Sequence, residues 1–232
     1  MELILEKKPK NVKIIEGFPG FGLVSTIATE YLIGHLDADQ IGKITIEELP
    51  PIVAVHSAEV IDPVGIFYSK KYNLVILHAL TSVNGYEWQI AKKVEELAKQ
   101  LGAKEVICIE GVGSTSETSE AFYLSDHFAS QIKKKTGLRE LKEGIIMGVT
   151  GALMLNKTLP LSCIFSEAHS SLPDSRAAAK IIEVLDKYLG LKVETGPLIK
   201  KAEEFENKIK QLVEQTKDAT ATKQKKELSY LG

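Results

Sequence analysis

The sequence has little cysteine, little arginine and no long hydrophobic run. Its 232 residues include only two cysteines, Cys108 and Cys163, which excludes a disulfide-stabilised scaffold and is typical of a reducing compartment. Arg139 and Arg176 are the only arginines among 29 basic residues, and the formal net charge is −2. Because nucleic acids and acidic membranes attract strongly basic, arginine-containing surfaces, the composition disfavours both as partners. No apolar run approaches the roughly 18 to 20 residues that a membrane span needs.

Recognisable catalytic and targeting motifs are also absent. The sequence contains no GxxxxGK[ST] phosphate loop, no HExxH motif, no pair of CxxC motifs and no GxSxG nucleophile elbow. The opening MELILEKKPK has no apolar signal-peptide core. We therefore predict a cytoplasmic protein that is not an enzyme and that holds neither a cofactor nor a metal.

Short apolar runs alternate with helical periods along most of the chain, which is typical of α/β proteins. The predicted strands are 12–15, 41–46, 52–55, 58–61, 66–68, 74–80, 105–109, 145–149 and 161–165. The predicted helices are 23–33, 87–101, 125–135 and 175–189, with a helical turn at 151–156. We predict a largely parallel central sheet flanked by helices, with an antiparallel strand insertion near 52–80 and a hairpin turn at 62–65.

The C-terminal part of the chain has a different pattern. After Pro197, apolar residues follow a narrow heptad-like seam, which predicts an amphipathic helix; they are Leu198, Ala202, Phe205, Ile209 and Leu212. The stretch DATATKQKKE at 218–227 has no large apolar residue and is typical of a disordered segment. We therefore predict three regions: an α/β core at 1–194, a C-terminal helix at 195–217 and a flexible tail at 218–232.

A glycine-rich segment lies between the first predicted buried strand and the first predicted helix. It consists of Gly17, Phe18, Pro19, Gly20, Phe21 and Gly22. Backbone N–H groups at such a position can bind phosphate, but the segment contains no basic residue. We interpret it as a structural loop whose glycines allow positive φ and close packing. Its two phenylalanines are alternatively apolar contacts at a subunit interface.

Three segments resemble motifs of the proteasome assembly chaperone family. They are Gly17–Val24 (GFPGFGLV), Glu110–Gly113 (EGVG) and Gly148–Leu153 (GVTGAL), and the resemblance extends over roughly residues 10–190. Archaeal members of this family are homologues of eukaryotic proteasome assembly chaperones. The resemblance implies an α/β sandwich that forms homo-oligomers and binds the α-ring of the 20S proteasome.

The resemblance also draws attention to the last five residues, LSYLG. Proteasome-docking proteins of this class often end in a hydrophobic residue, a tyrosine and any residue, and a pocket lysine pairs with their terminal carboxylate. Here the tyrosine is third from the end rather than second. The resemblance implies that the partner-binding residues are Leu228, Tyr230, Leu231 and Gly232.

Three functional hypotheses remain open at this point. The leading one is a non-enzymatic assembly chaperone homologue or activator that binds 20S α subunits. The second is a small-molecule or nucleotide-binding α/β enzyme that uses the loops at 17–22 and 111–116, since both are expected at the carboxyl ends of parallel strands. The third is a structural homo-oligomer with no role at the proteasome.

Overall fold

The computed structural model of the chain describes residues 1–49, 51–56, 59–114, 120–169, 172–193 and 200. The boundary predicted at residue 194, the helix predicted at 195–217 and the tail predicted at 218–232 fall almost wholly outside these residues. The division of the chain into a core, a helix and a tail therefore stays a prediction.

Strands and helices alternate through the described residues. The strands are β1 (Glu2–Leu5), β2 (Lys13–Gly17), β3 (Asp39–Thr45), β4 (Ala54–His56), β5 (Glu59–Ile61), β6 (Val64–Ser69), β7 (Leu74–Ala79), β8 (Glu105–Gly113), β9 (Ala121–Leu124), β10 (Arg139–Glu140) and β11 (Leu161–Ala168). The helices are α1 (Val24–His35), α2 (Glu87–Leu101), α3 (Ala129–Thr136), α4 (Gly148–Leu155) and α5 (Ser175–Leu189). A short 3-10 turn at Phe21–Leu23 precedes α1.

Nine of these strands form one mixed sheet in the order β1-β3-β6-β7-β2-β8-β11-β9-β10. The four central strands, β7, β2, β8 and β11, are mutually parallel. Antiparallel pairs extend the sheet on both sides, through β6, β3 and β1 on one side and through β9 on the other. The predicted α/β class with a parallel centre and an antiparallel insertion is confirmed, and the sheet as a whole is mixed.

The helices cover both faces of the sheet. Helices α1, α3 and α5 pack on one face around a buried apolar cluster, whereas α2 and α4 pack on the opposite face around a second cluster. The predicted bounds of α2 are confirmed, because its apolar stripe is buried and Gly102 ends it with a φ of +60°. Helix α5 has the predicted bounds, and the Asp174 carboxylate caps it by accepting a hydrogen bond from the Ala177 N–H.

Three local predictions are wrong. The turn at 62–65 does not join a hairpin, because β5 pairs with β4 in a separate two-stranded sheet while β6 pairs with β3 and β7. The strand predicted at 145–149 is absent, because Gly148 has a φ of +74° and begins α4 there. Ile145 and Met147 are instead 88% and 76% exposed, whereas Val149 is buried in the core, so only part of the apolar run lies on the surface. The loop predicted from residue 111 begins later, since β8 continues to Gly113.

The sheet topology brings the ends of several elements together. Because β2 and β8 are adjacent and parallel, their carboxyl ends lie side by side. The start of α4 packs over the same edge, on the face that it shares with α2. Among the described residues, no helix is both long enough and apolar enough to cross a membrane.

Candidate functional site

A cleft of about 580 Å³ lies at the carboxyl ends of β2 and β8. Its walls come from the glycine loop at 17–22, the start of α2, the end of β8 and the segment 145–149. Parallel α/β sheets bind ligands in this position, because the loops that follow the strands converge there. The cleft is therefore the first candidate for a functional site on the described part of the chain.

The glycine loop packs directly on β8. Gly20 has an extended backbone with a φ of −134°, so positive φ is not the reason for glycine at this position. A Cβ at Gly20 would instead overlap the Glu110 carboxyl group, and a Cβ at Gly111 would overlap the Phe21 carbonyl oxygen. Gly22 does have a positive φ, of +66°. The glycines thus let two backbones approach more closely than any other residue type would allow.

The two phenylalanines of the loop lie in different environments. Phe18 is 4% exposed and belongs to the core, and its carbonyl accepts a hydrogen bond from the Ser25 hydroxyl. Phe21 is 39% exposed at the mouth of the cleft. The prediction that both contact a neighbouring subunit is therefore wrong for Phe18, because its ring is already buried within this chain.

Two glutamates lie at the floor of the cleft, one fully buried and one half-buried. Glu16 is fully buried near the end of β2, and Glu110 lies on the same sheet face near the end of β8. The Thr150 hydroxyl, in the first turn of α4, stands 3.3 Å from Glu16 Oε2 and 3.1 Å from Glu110 Oε2. The Phe18 N–H also donates to Glu16 Oε1 at 3.2 Å. One threonine hydroxyl therefore bridges two carboxyl groups.

Both carboxyl groups are harder to ionise than a solvated glutamate. Burial raises the pKa of Glu16 to about 7, against smaller opposing effects of hydrogen bonds from Cys108, Phe18 and Thr150. Burial and the nearby Glu16 charge raise the pKa of Glu110 to about 8, although hydrogen bonds from Thr150 and backbone N–H groups oppose the rise. The pair therefore holds at least one proton at neutral pH.

The described lining of the cleft is uncharged or acidic. Among the described residues that line it, none is a lysine, an arginine or a histidine, whereas Glu87 and Glu110 are acidic. Phosphate groups are bound by cations or by well-aligned N–H groups, so this lining disfavours a nucleotide. Elsewhere on the described residues, no group of three or more His, Cys, Asp or Glu side chains is placed to hold a metal.

Large apolar side chains surround the mouth of the cleft. Phe21, Ile145 and Met147 are 39%, 88% and 76% exposed, and we call these three residues the apolar lip. Exposed apolar patches of this kind mark interaction surfaces more often than catalytic ones. The site thus combines a polar floor that contains two carboxyl groups with an apolar entrance.

A second, larger groove of about 820 Å³ adjoins the cleft and shares Ile145 with it. Two of the cations along this groove have acidic partners on the same surface, since Arg139 pairs with Glu120 and Lys142 pairs with Glu140. These pairs are exposed and offer no preformed anion site. The groove adds surface beside the apolar lip rather than a second chemical centre.

The three sequence motifs that resemble the chaperone family converge on this cleft. The glycine loop forms one wall, Glu110–Gly113 ends the adjacent strand, and Gly148–Leu153 forms most of α4. The predicted partner-binding residues Leu228, Tyr230, Leu231 and Gly232 lie outside the described residues. Sequence reasoning missed Glu16 and Thr150 as members of the site. The signal that could have found Glu16 is a repeated Ile-Glu-Gly triplet, at 15–17 and 109–111.

Comparison with known proteins identifies relatives along nearly the whole chain. The profile of the PAC2 family matches residues 14–213. The crystal structure of Pyrococcus furiosus PbaA, an archaeal homologue of proteasome-assembly chaperone, is 31% identical, with a TM-score of 0.83 over 94% of this chain and 98% of PbaA.

Two further relatives are more distant. Pyrococcus furiosus PbaB, an archaeal proteasome activator, shares the fold at 20% identity, with a TM-score of 0.76 over 91% of this chain and 98% of PbaB. An uncharacterised protein of Methanocaldococcus jannaschii is 25% identical over 213 residues, which cover 89% of this chain and 87% of the relative. The family match and the identity to PbaA together establish that the chain belongs to the PAC2 family of proteasome assembly chaperone homologues.

Proposed function

We propose that the chain is a non-enzymatic protein that binds the α-ring of the 20S proteasome, as an assembly chaperone homologue or an activator. The observation that carries the proposal is the similarity to PbaA, which extends over 94% of this chain and 98% of PbaA. The three motifs that resemble the family lie together in the fold, so the similarity includes the cleft and not only the core.

The chemistry of the cleft supports binding rather than catalysis. The carboxyl groups of Glu16 and Glu110 already have hydrogen-bond partners in Thr150 and in backbone N–H groups. A nucleophile with an adjacent base, which covalent catalysis requires, is not found among the described lining residues. The exposed groups around the cleft are mainly apolar, as they are in the central part of a protein interface.

We also propose that the chain forms a homo-oligomer and that the apolar lip contributes to its subunit contacts. Ile145 and Met147 are more than three-quarters exposed in the isolated chain. Covering both side chains would remove a large apolar area from water, and a fully buried side chain of this size contributes about 1.5 to 3 kcal/mol. An oligomer carries several docking segments, so weak contacts with a symmetric ring reinforce one another.

The docking segment that we propose is Leu228–Gly232. Tyr230 offers an apolar ring with a polar hydroxyl, and Leu228 and Leu231 offer apolar area. The ten residues that precede this segment, 218–227, span at most about 33 to 36 Å when extended. Such a reach lets one short segment contact a pocket on the α-ring while the folded core stays at a distance.

The test is capture of purified 20S particles by the chain, immobilised through its N-terminus. We expect the full chain to retain 20S particles, and we expect Tyr230→Ala and deletion of residues 228–232 to weaken retention at least tenfold, which corresponds to about 1.4 kcal/mol. Ser229→Ala is the matched control and should bind like the full chain. Unchanged retention after the deletion would move the contact to the folded core. No retention by any variant would overturn the proteasome function itself.

The alternative, a small-molecule or nucleotide-binding enzyme, draws its support from the position of the cleft at the carboxyl ends of parallel strands. The absence of a cation among the described lining residues opposes a nucleotide. Calorimetry with ATP separates the two functions. Tight ATP binding by the full chain, lost in Gly20→Ala, would favour the enzyme, whereas no heat of binding agrees with the proteasome function.

A further inference from the structure

The hydrogen bonds at the floor of the cleft require one proton in addition to those on the backbone N–H groups and on the Thr150 hydroxyl. A threonine hydroxyl carries one hydrogen, so it donates to one acceptor only. Its oxygen lies within hydrogen-bond distance of Glu16 Oε2 and of Glu110 Oε2. If both carboxyl groups were ionised, one of these contacts would join two lone pairs. If one is protonated, the hydroxyl donates to the ionised group and accepts from the protonated one.

We propose that Glu16, Thr150 and Glu110 form a proton-dependent latch that holds the glycine loop against β8, and that loss of the shared proton at alkaline pH releases the loop and changes the apolar lip. The inference uses only contacts within the described residues and does not depend on proteasome binding. No catalytic step is involved, since the proton passes only to and from water.

Among the described residues that line the cleft, no lysine, arginine or histidine is present to replace the proton. On β8, the neighbouring titratable group is the Cys108 thiol, and Cys163 stands directly opposite it on β11. Burial, followed by the neighbouring Cys163 and Glu16, raises the pKa of Cys108 well above its ordinary value, so the thiol stays neutral. From α2, the titratable group that lines the cleft is Glu87, which is itself acidic. Thr150 from α4 is polar but does not titrate.

Glu110 couples the protonation of the pair to the position of the residues at the cleft surface. Unlike the fully buried Glu16, it lines the cleft, so it has space to move when repelled. Its carboxyl group lies against Gly20 and accepts the backbone N–H of Phe21. Movement of Glu110 toward the cleft therefore displaces the loop that carries Phe21. The exposed surface of the apolar lip changes as a result, because Phe21 is one of its three residues.

The sign of the linkage follows from the raised pKa values. Both glutamates have a pKa of 4.5 in the unfolded chain, against about 7 for Glu16 and about 8 for Glu110 in the fold. Between these values the folded chain binds more protons than the unfolded chain. The stability that these groups contribute is therefore complete below about pH 4.5 and is lost as the pH rises to about 8. Each extra proton makes the unfolding constant rise roughly tenfold per pH unit.

The first test is denaturant unfolding of the full chain between pH 5 and pH 9. We expect the unfolding constant to rise with pH up to about pH 8, and we expect Glu110→Gln and Glu16→Gln each to reduce that rise by up to roughly tenfold per pH unit. Glu87→Gln makes the same substitution at a cleft-lining residue outside the pair and should leave the rise unchanged. Equal slopes in the wild type, Glu110→Gln and Glu16→Gln would overturn the shared proton.

The second test measures the loop itself and needs only that one variant folds. Difference infrared spectra should contain the carbonyl stretch of a protonated carboxyl group at pH 6, which disappears above pH 8 and is reduced in either glutamine variant. Amide exchange at Phe21 should accelerate above pH 8 beyond the intrinsic chemical increase, and Glu110→Gln should abolish that excess. A Phe21 amide whose protection is independent of pH would overturn the latch even if the proton is present.

Discussion

Strand β8 carries a glutamate near each end, fully buried at the amino end and half-buried at the carboxyl end, and the two are stabilised in different ways. At the amino end, Glu105 is fully buried and forms an ion pair with Lys13. The Ser162 and Tyr188 hydroxyls donate to the same carboxylate oxygen at 2.6 and 2.7 Å. At the carboxyl end, Glu110 faces Glu16 across a single hydroxyl and has no cationic partner among the described lining residues.

The difference separates a structural site from an adaptable one. A buried carboxylate with a cation and two hydroxyl donors has at least one partner on each oxygen, so it holds β2, β8, β11 and α5 in fixed positions. Burial and the Glu105 carboxylate both raise the pKa of Tyr188, so its hydroxyl remains a donor. A carboxyl pair held by a proton depends instead on the solution pH. The adaptable end is also the end with the exposed apolar lip.

The largest effect on this contrast is expected from removing the Lys13 cation at the amino end of β8. Lys13→Met leaves the Glu105 carboxylate buried without its partner, and removal of one member of a buried pair is strongly destabilising. Because the Lys13 side chain is 31% exposed, we expect a loss near the lower end of the usual range, about 3 kcal/mol. Denaturant unfolding at pH 7 measures it.

The control for this prediction is Lys93→Met, which removes a cation from a surface pair on α2. Lys93 and Glu96 form an ordinary i,i+3 contact at 2.8 Å. Exposed pairs of this type contribute about 0 to 1 kcal/mol. Equal losses in the two variants would mean that Glu105 does not depend on its cation, and the contrast between the two ends of β8 would fail.

The second largest effect is expected from crowding at the carboxyl end. Gly111→Ala places a Cβ against the Phe21 carbonyl oxygen, a backbone atom that cannot rotate away, and we expect a loss of about 1 to 3 kcal/mol. Gly34→Ala, in α1, is the control because a Cβ there has open space, and it should stabilise the chain by up to about 1 kcal/mol. Thermal unfolding compares them. A neutral Gly111→Ala would mean that the glycine loop does not pack tightly on β8.

The smallest effect on stability is expected at the apolar lip. The double variant Ile145→Ser and Met147→Ser changes exposed side chains, so stability should change by no more than about 0.5 kcal/mol. Light scattering should nevertheless show a shift toward the 25.5 kDa monomer. Leu155→Ser is the control, because Leu155 is 71% exposed at the other end of α4. An oligomer that is equally affected by both changes would place the subunit contact elsewhere.

The helices that carry a complete set of local signals were predictable from the sequence. In α2 and α5, an apolar stripe of helical period ends at a glycine, Gly102 or Gly190, that adopts a positive φ. Such signals depend only on nearby residues, so they can be recognised without knowledge of the neighbouring elements. The α/β class follows from the same alternation of short apolar runs and amphipathic helices.

The predictions that were wrong concern segments whose sequence signals are ambiguous. The run at 145–149 is short and apolar, and such runs do not distinguish a strand, a helix start or an exposed loop. Only the three-dimensional structure distinguishes these possibilities, through the positive φ of Gly148 and the exposure of Ile145. Residues 62–65 do connect β5 to β6, but these two strands do not pair with each other, because β5 pairs with β4.

The group of Glu16, Glu110 and Thr150 was beyond local reasoning because its three members come from distant segments. Glu16 and Thr150 are 134 positions apart in the sequence and meet only through the topology of the sheet. The repeated Ile-Glu-Gly triplet shows that two acids end two buried strands. It does not show that the strands are adjacent, which is what makes the two groups share one hydroxyl.

The most direct measurement of the central claim is sedimentation velocity of the full chain mixed with purified 20S particles. We expect part of the chain to move with the 20S boundary at neutral pH, in an amount that saturates as its concentration rises. Saturation would agree with a defined number of sites on the α-rings. A chain that sediments at its own rate at every ratio, with an unchanged 20S boundary, would contradict the proposal that this PAC2 protein binds the proteasome.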